Sequence, residues 1–194
     1  MMFSNLEKYR IILASQSPRR RELLSQLGLC FEVQALPNVS EDYPRGLGCE
    51  DIAKFIASKK AEHYRPMMSA RDLLITADTI VCVDDMVLGK PKDKDDAVSM
   101  LQRLSGRSHE VITGFTVSTT KRFECESAIT TVEFAPLTEE MILYYVEHYR
   151  PFDKAGAYGI QEWIGSVGVR GINGSFFNVV GLPVQRLSEV LLKF

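Results

Sequence analysis

The chain has 194 residues and a formal charge of −2, from 23 basic and 25 acidic side chains. That length suits one domain spanning 1–194, and 45% hydrophobic with 25% charged residues excludes both a disordered chain and a membrane-embedded one. A near-neutral chain with interspersed signs lacks the field of a dedicated nucleic-acid binder, so no stable nucleic-acid partner is expected and only a local basic pocket stays open.

Taken from the N-terminus, Glu7, Lys8, Tyr9 and Arg10 interrupt any leader-like pattern, and no run approaches the ~20 apolar residues of a membrane span. The expectation is a cytoplasmic protein without a membrane partner. Ile11-Ile12-Leu13-Ala14 reads as a short buried strand that stops at Ser15-Gln16-Ser17-Pro18. Ser17 then caps a helix with Pro18 at its first position, an apolar stripe at Leu23, Leu24 and Leu27, and a stop at Gly28. Residues 36–49 are turn-rich around Glu41 and Asp42 and read as an exposed loop, followed by helical spacing from Asp51 to His63.

Leu73 to Val83 is a β-rich run apolar on both alternating faces, which predicts a central strand ending in an Asp84-Asp85 turn. A loop from Lys90-Pro91 precedes a helix over 95–104, closed by Ser105-Gly106. Val111–Thr119 and Phe123–Phe134 predict an antiparallel pair, and Thr138 caps another helix with Leu137 and Ile142 as a hydrophobic staple. Seven glycines then recur between 156 and 181 before a short C-terminal helix from about Pro183.

Three places carry candidate chemistry. Ser15, Ser17, Arg19 and Arg20 lie where a strand feeds a helix N-terminus, a place for backbone N–H groups, hydroxyls and guanidinium groups to converge on a phosphate. A plain cap with solvated arginines is the alternative there. Asp78 is an acid in the middle of an apolar strand, where it must either be satisfied internally or project into a polar cavity. Asp153 to Gln161 mixes small residues, which allow close backbone approach, with Asp, Lys, Tyr and Gln for polar recognition. Lys60 and Lys90 are equally readable as solvated lysines. The four cysteines have no zinc spacing, and His63, His109 and His148 read as surface or helix-end residues. There is no GxxxxGK[ST] and no GxGxxG.

The blocks Ala14-Ser15-Gln16-Ser17-Pro18-Arg19-Arg20, Ala77-Asp78-Thr79, Gly89-Lys90-Pro91, Leu104-Ser105-Gly106, Asp153 to Gln161 and Gly181-Leu182-Pro183 together resemble the Maf family of nucleoside triphosphate pyrophosphatases. The tyrosine-and-glutamine form of the Asp153 block is similar to the subgroup acting on dTTP and UTP. The resemblance implies an α/β, inosine-triphosphatase-like fold, with an elongated mixed sheet flanked by helices, two lobes and a central cleft, and a homodimer. It implies cleavage between the α and β phosphates with a divalent metal, Mg²⁺ or Mn²⁺.

Carried onto this sequence, Asp78 matches the proton acceptor, and Arg19, Thr79 and Gln161 match positions linked to substrate choice. Ser15, Arg20, Glu41, Lys60, Lys90 and Asp153 match polar positions of the cleft, with Lys59 an alternative to Lys60 in the Lys-Ala register. On this reading the cations neutralise the triphosphate, and Asp78, with Glu41, holds metal or takes a proton from water. A nucleotide-binding regulator of cell division is the alternative function; it would use the same cradle without needing Asp78.

Overall fold

The computed structural model describes residues 3–34 and 39–194, so positions 36–38 of the expected loop lie outside the described residues. Strand β1 (Arg10–Leu13) leads through the Ser17-capped helix α1 (Pro18–Ser25) to a short strand β2 (Glu32–Val33), which lies parallel to β1. Helix α2 (Cys49–Tyr64) then precedes strand β3 (Asp72–Val83), which pairs parallel to β1 and antiparallel to strand β5 (Ser108–Ser118). Strand β6 (Phe123–Phe134) completes the expected antiparallel pair with β5. Helices α3 (Lys94–Leu104), α4 (Glu139–Tyr149) and α7 (Val184–Leu191) form close to their predicted bounds.

Five short elements escape the sequence pattern: strand β2, strand β4 (Met86–Leu88), helix α5 (Trp163–Gly168), strand β7 (Val169–Asn173) and helix α6 (Phe176–Val180). Each spans six residues or fewer, too few for a period to register. β4 depends on Asp84 and Asp85, both at positive φ (51° and 58°), which turn β3 back on itself as a tight hairpin. The seven-stranded mixed sheet runs β2-β1-β3-β5-β6-β7, with β4 beside β3.

Side-chain alternation along β3 assigns its two faces to different cores. Leu73, Ile75, Ala77, Val81 and Val83 join the larger core, built with α1, α3, α4 and α7. Leu74, Ile80 and Cys82 face the opposite way, toward α2, whose Ile52, Ala53, Ile56 and Ala61 complete two smaller clusters. Helix α2 comes unusually close because Gly114 of β5 has no side chain: a Cβ there would stand 2.4 Å from the Ala53 carbonyl. Cys49 and Cys82 are joined as a disulfide, Cα–Cα 6.4 Å, linking the first residue of α2 to β3.

Strand pairing also leaves a notch. β5 runs alongside β3 from Leu74 to Cys82, but on the other edge pairing with β1 stops at Ile75 and pairing with β4 begins only at Val81. Residues 76–80 of β3 therefore have a strand neighbour on one side alone. The missing neighbour divides that side of the sheet into two wings, with a central cleft between them.

Candidate active site

The cleft of about 870 Å³ opens over this notch. Asp78 and Thr79 stand at its centre and, being consecutive on a strand, point to opposite faces of the sheet. With no neighbouring strand beside them, both side chains reach the same space. The acid in mid-strand thus projects into a polar cavity, and it is buried at 7% exposure.

On the α2 face, the sheet-facing stripe of Ala53, Ile56, Ala57 and Ala61 carries Lys60 with it. Its ammonium lies 2.5 Å from Asp78 Oδ1 and 3.0 Å from Glu41 Oε1. Lys59 points away and donates to the Asp42 carbonyl, so the register ambiguity resolves to Lys60 as the cleft residue. Burial pushes the Asp78 carboxyl above its usual range, opposed by Lys60 and Arg20. Burial also works against the Glu41 carboxylate, yet Lys60 and Lys90 outweigh it and hold Glu41 below its usual range. Lys90 is half-exposed, 3.4 Å from Glu41 Oε1.

On the other face, Arg20 is spent largely on the protein itself. Its Nε donates to the Gly181 carbonyl, one terminal nitrogen to the Ala77 carbonyl and the other to Thr79 Oγ1, at 2.8, 2.8 and 3.0 Å. The Ala77 carbonyl belongs to the unpaired edge of β3, so the guanidinium supplies a donor where a strand is missing. Thr79 Oγ1 also bonds Thr113 of β5 at 2.9 Å. Ser15 and Ser17 both act locally as acceptors: Ser15 Oγ receives the Ser17 N–H, and Ser17 Oγ receives the Arg20 N–H. Arg19 reaches across the cleft to Asp153 Oδ2 at 2.9 Å. Burial raises the Asp153 pKa, but Lys154 and Arg19 overcome it and bring the value down to about 2.

Gln161 is exposed and lines the far end of the cleft. The loop leading to it is tightly bent. Gly156 and Ala157 both adopt positive φ (66° and 59°), and a Cβ on Gly156 would stand 2.8 Å from Val81. An alanine held in the left-handed region costs conformational energy, a feature that concentrates at functional sites. Ser15, Arg19, Arg20, Glu41, Lys60, Asp78, Thr79, Lys90, Asp153 and Gln161, drawn from six separated segments, thus line one cleft. Among its charged linings, five cations oppose three carboxylates.

Several other polar and aromatic residues lie outside the cleft lining. His109, expected at the surface, is buried on β5, with Nε2 2.7 Å from the Tyr158 hydroxyl and its ring edge-on to Phe134. Burial lowers its pKa to about 4. Strand alternation could have placed it, since Val111, Phe115 and Val117 share its face. His63 and His148 are exposed. Trp163 packs edge-on against Tyr144, outside the cleft lining. Tyr145 and Glu162 meet behind the loop bearing Gln161.

Residues 10–194 match the family described as Maf-like protein. The chain belongs to the Maf family. It is 57% identical over 192 residues to a dTTP/UTP pyrophosphatase of Phocaeicola vulgatus, covering 99% of this chain and 100% of that one. A Bacteroides thetaiotaomicron protein of the same name is 53% identical with the same coverage, and one from Flavobacterium psychrophilum is 46% identical over 99% of this chain and 98% of its own. Among solved structures, a HAM1 protein from Coxiella burnetii superposes with a TM-score of 0.53 at 16% identity, covering 96% of this chain and all of the other. The inosine-triphosphatase-like architecture expected of the Maf family is the one this chain adopts. Among the described residues, no helix is long and apolar enough to cross a membrane.

Proposed function

We propose that this Maf protein hydrolyses dTTP and UTP to the nucleoside monophosphate and pyrophosphate, removing surplus or damaged pyrimidine nucleotides from the pool. The observation that carries this reading is the Asp78–Lys60 pair, set in a cleft whose cations outnumber its acids by two. A triphosphate carrying one divalent cation has a net charge of about −2, which matches that excess. Relatives named dTTP/UTP pyrophosphatase over nearly their whole length supply the choice of bases.

In this mechanism the Asp78 carboxylate accepts the proton of a water molecule whose oxygen attacks the α-phosphorus. The bond from that phosphorus to the bridging oxygen breaks, and pyrophosphate leaves with the electron pair. Arg19, Lys60 and Lys90 stabilise the charge that accumulates on the leaving group. Arg20 holds Thr79 and the open edge of β3, and adds its charge from beneath. Gln161, with a donor and an acceptor on one amide, suits the mixed hydrogen-bonding edge of uracil or thymine.

Glu41 and Asp78 each turn an oxygen toward the same Lys60 ammonium, so two hard donors lie within reach of one point. Among the described residues no third acidic, histidine or cysteine ligand joins them. That donor set fits Mg²⁺ or Mn²⁺, which commonly takes one or two carboxylates and completes its shell with phosphate oxygens and water. When bound, such an ion would neutralise phosphate charge and lower the pKa of the attacking water.

The test is product chromatography after incubating dTTP or UTP with Mg²⁺ or Mn²⁺. Monophosphate and pyrophosphate are expected; diphosphate with orthophosphate would mean cleavage at the γ position and overturn the reading. Sedimentation of the purified chain tests the homodimer implied by family resemblance.

A further inference from the structure

Behind Gln161, one buried hydroxyl ties together two points of the same loop. Tyr145, fully buried on α4, donates its hydroxyl proton to Glu162 Oε2 and accepts the Gly159 backbone N–H at 2.9 Å. A phenol has one proton to give, so both halves of its capacity are committed to the residues bracketing Gln161. The other oxygen of Glu162 lies 3.1 Å from Lys154 Nζ, which is 2.7 Å from Asp153 Oδ1. Asp153 in turn bonds Arg19. A continuous chain of polar contacts therefore runs from the helix α1 end of the cleft, through largely buried Lys154, to the backbone on either side of Gln161.

Two glycines keep this arrangement closed. A Cβ on Gly159 would stand 2.9 Å from the Glu162 carboxyl carbon and 3.1 Å from Lys154 Cε, displacing both. A Cβ on Gly165 would stand 1.9 Å from the Ile160 carbonyl oxygen, so α5 is packed directly against the backbone preceding Gln161. The Glu162 N–H also returns to the Gly159 carbonyl at 3.0 Å, closing a tight turn with Gln161 inside it. Residues 159, 160 and 162 are pinned while the Gln161 side chain is left exposed. That is how a scaffold presents one reading group: backbone fixed, amide free to meet a ligand.

We propose that Tyr145 and Glu162 are positioning residues for base selection, fixing the Gly159–Glu162 turn so that the Gln161 amide meets the pyrimidine edge. The inference rests on the pyrimidine-triphosphate reading above and adds two residues that touch neither base nor phosphate. The effect of releasing the turn falls mainly on base choice: of the phosphate-binding cations, Lys60 and Lys90 lie on other segments, and Arg19 meets the network only through Asp153 and Lys154, not at the turn itself. A displacement on the order of 1 Å in a reading group is enough to cost up to about 100-fold in rate.

The experiment compares wild type with Tyr145→Phe and Glu162→Gln, measuring kcat/KM for UTP, dTTP and CTP together with inhibition by pyrophosphate. Tyr145→Phe removes both hydroxyl contacts while keeping the ring, and should lower kcat/KM for the preferred pyrimidines about 5- to 20-fold. CTP should fall less than about 2-fold, and pyrophosphate inhibition should be unchanged. Glu162→Gln keeps an oxygen acceptor for the Tyr145 hydroxyl and should lose less selectivity than Glu162→Ala. Equal losses on all three nucleotides, weakened pyrophosphate inhibition, or an unchanged selectivity ratio would each overturn the inference. If Tyr145→Phe does not fold, Gly159→Ala must produce the same selectivity loss by displacing the Glu162 carboxylate. If wild type prefers a different base, the substrate reading fails, while the network is still judged by whether these variants reduce whatever preference is observed.

Discussion

Lys60 and Asp78 meet at 2.5 Å because helix α2 crosses the sheet just where β3 lacks a strand neighbour. The ammonium comes from the sheet-facing stripe of the helix and the carboxylate from the middle of the strand, so the pair depends on the fit between two elements. Such a pair suits an acid that must stay ionised in a buried setting: burial disfavours its charge and the neighbouring cations favour it.

Replacing that carboxylate should separate activity from stability. Asp78→Asn preserves size but removes the proposed proton acceptor, and proton transfer by a positioned group contributes on the order of 10²- to 10⁴-fold. Turnover on UTP should drop by at least about 100-fold. The fold should persist with a modestly lowered melting temperature, since the buried Lys60 ammonium loses one carboxylate but keeps Glu41 as a partner. An active Asp78→Asn enzyme would assign the residue a purely structural role and lend weight to a regulator that needs no catalysis.

The two arginines of α1 should respond differently to the same substitution. Arg20→Lys cannot reproduce three directed donors to Gly181, Ala77 and Thr79, and should destabilise the fold by about 2–4 kcal/mol, read as a lower urea midpoint. Arg19→Lys disturbs one pair whose acidic partner is more than half exposed, so its stability cost should be less than about 1 kcal/mol. Its effect should appear instead as a raised KM.

Gly114 sets the separation between α2 and the sheet. Gly114→Ala places a methyl group 2.4 Å from the Ala53 backbone, which cannot rotate away, so the helix must lift and carry Lys60 from Asp78. Overpacking of this kind costs about 1–3 kcal/mol or more. Denaturation should show that loss, and kcat/KM should fall although position 114 lies outside the cleft lining.

His109 makes the fold sensitive to mild acid. Burial lowers its pKa to about 4 from an ordinary value of 6.5, so between those values the unfolded chain binds a proton that the folded chain refuses. Its contribution is fully present above pH 6.5 and is lost as pH falls toward 4, amounting to about 3 kcal/mol across the interval. His109→Gln, which stays neutral, should remove that part of the pH dependence when urea midpoints of the two proteins are compared at pH 7, 5.5 and 4.5.

The regular elements and several cleft positions are legible without coordinates, because their causes are local. Ser17-Pro18 starts a helix by capping chemistry, Thr138 starts another, and Leu73–Val83 announces a central strand by being apolar on both faces. Asp78 stands out for the same reason: an acid interrupts that pattern, and desolvation makes such an interruption costly unless a cavity receives it. The motif blocks named Ser15, Arg19, Thr79, Lys90 and Gln161 one segment at a time.

Tertiary structure decided the rest. The notch beside residues 76–80 exists because the pairing of β1 with β3 ends at Ile75 and that of β4 with β3 begins at Val81, a matter of register between strands far apart in sequence. Lys60 and not Lys59 faces the cleft because of the rotation of α2 on the sheet, fixed by Gly114, and adjacent residues on a helix point about 100° apart. Arg20 became a brace for an unpaired carbonyl, and Tyr145 a support for Gln161, through contacts between residues 57 and 14 positions apart. Sequence determines which side chains can bind phosphate or move a proton; only packing of distant segments decides where each of them points, because direction follows from neighbours that no local pattern contains.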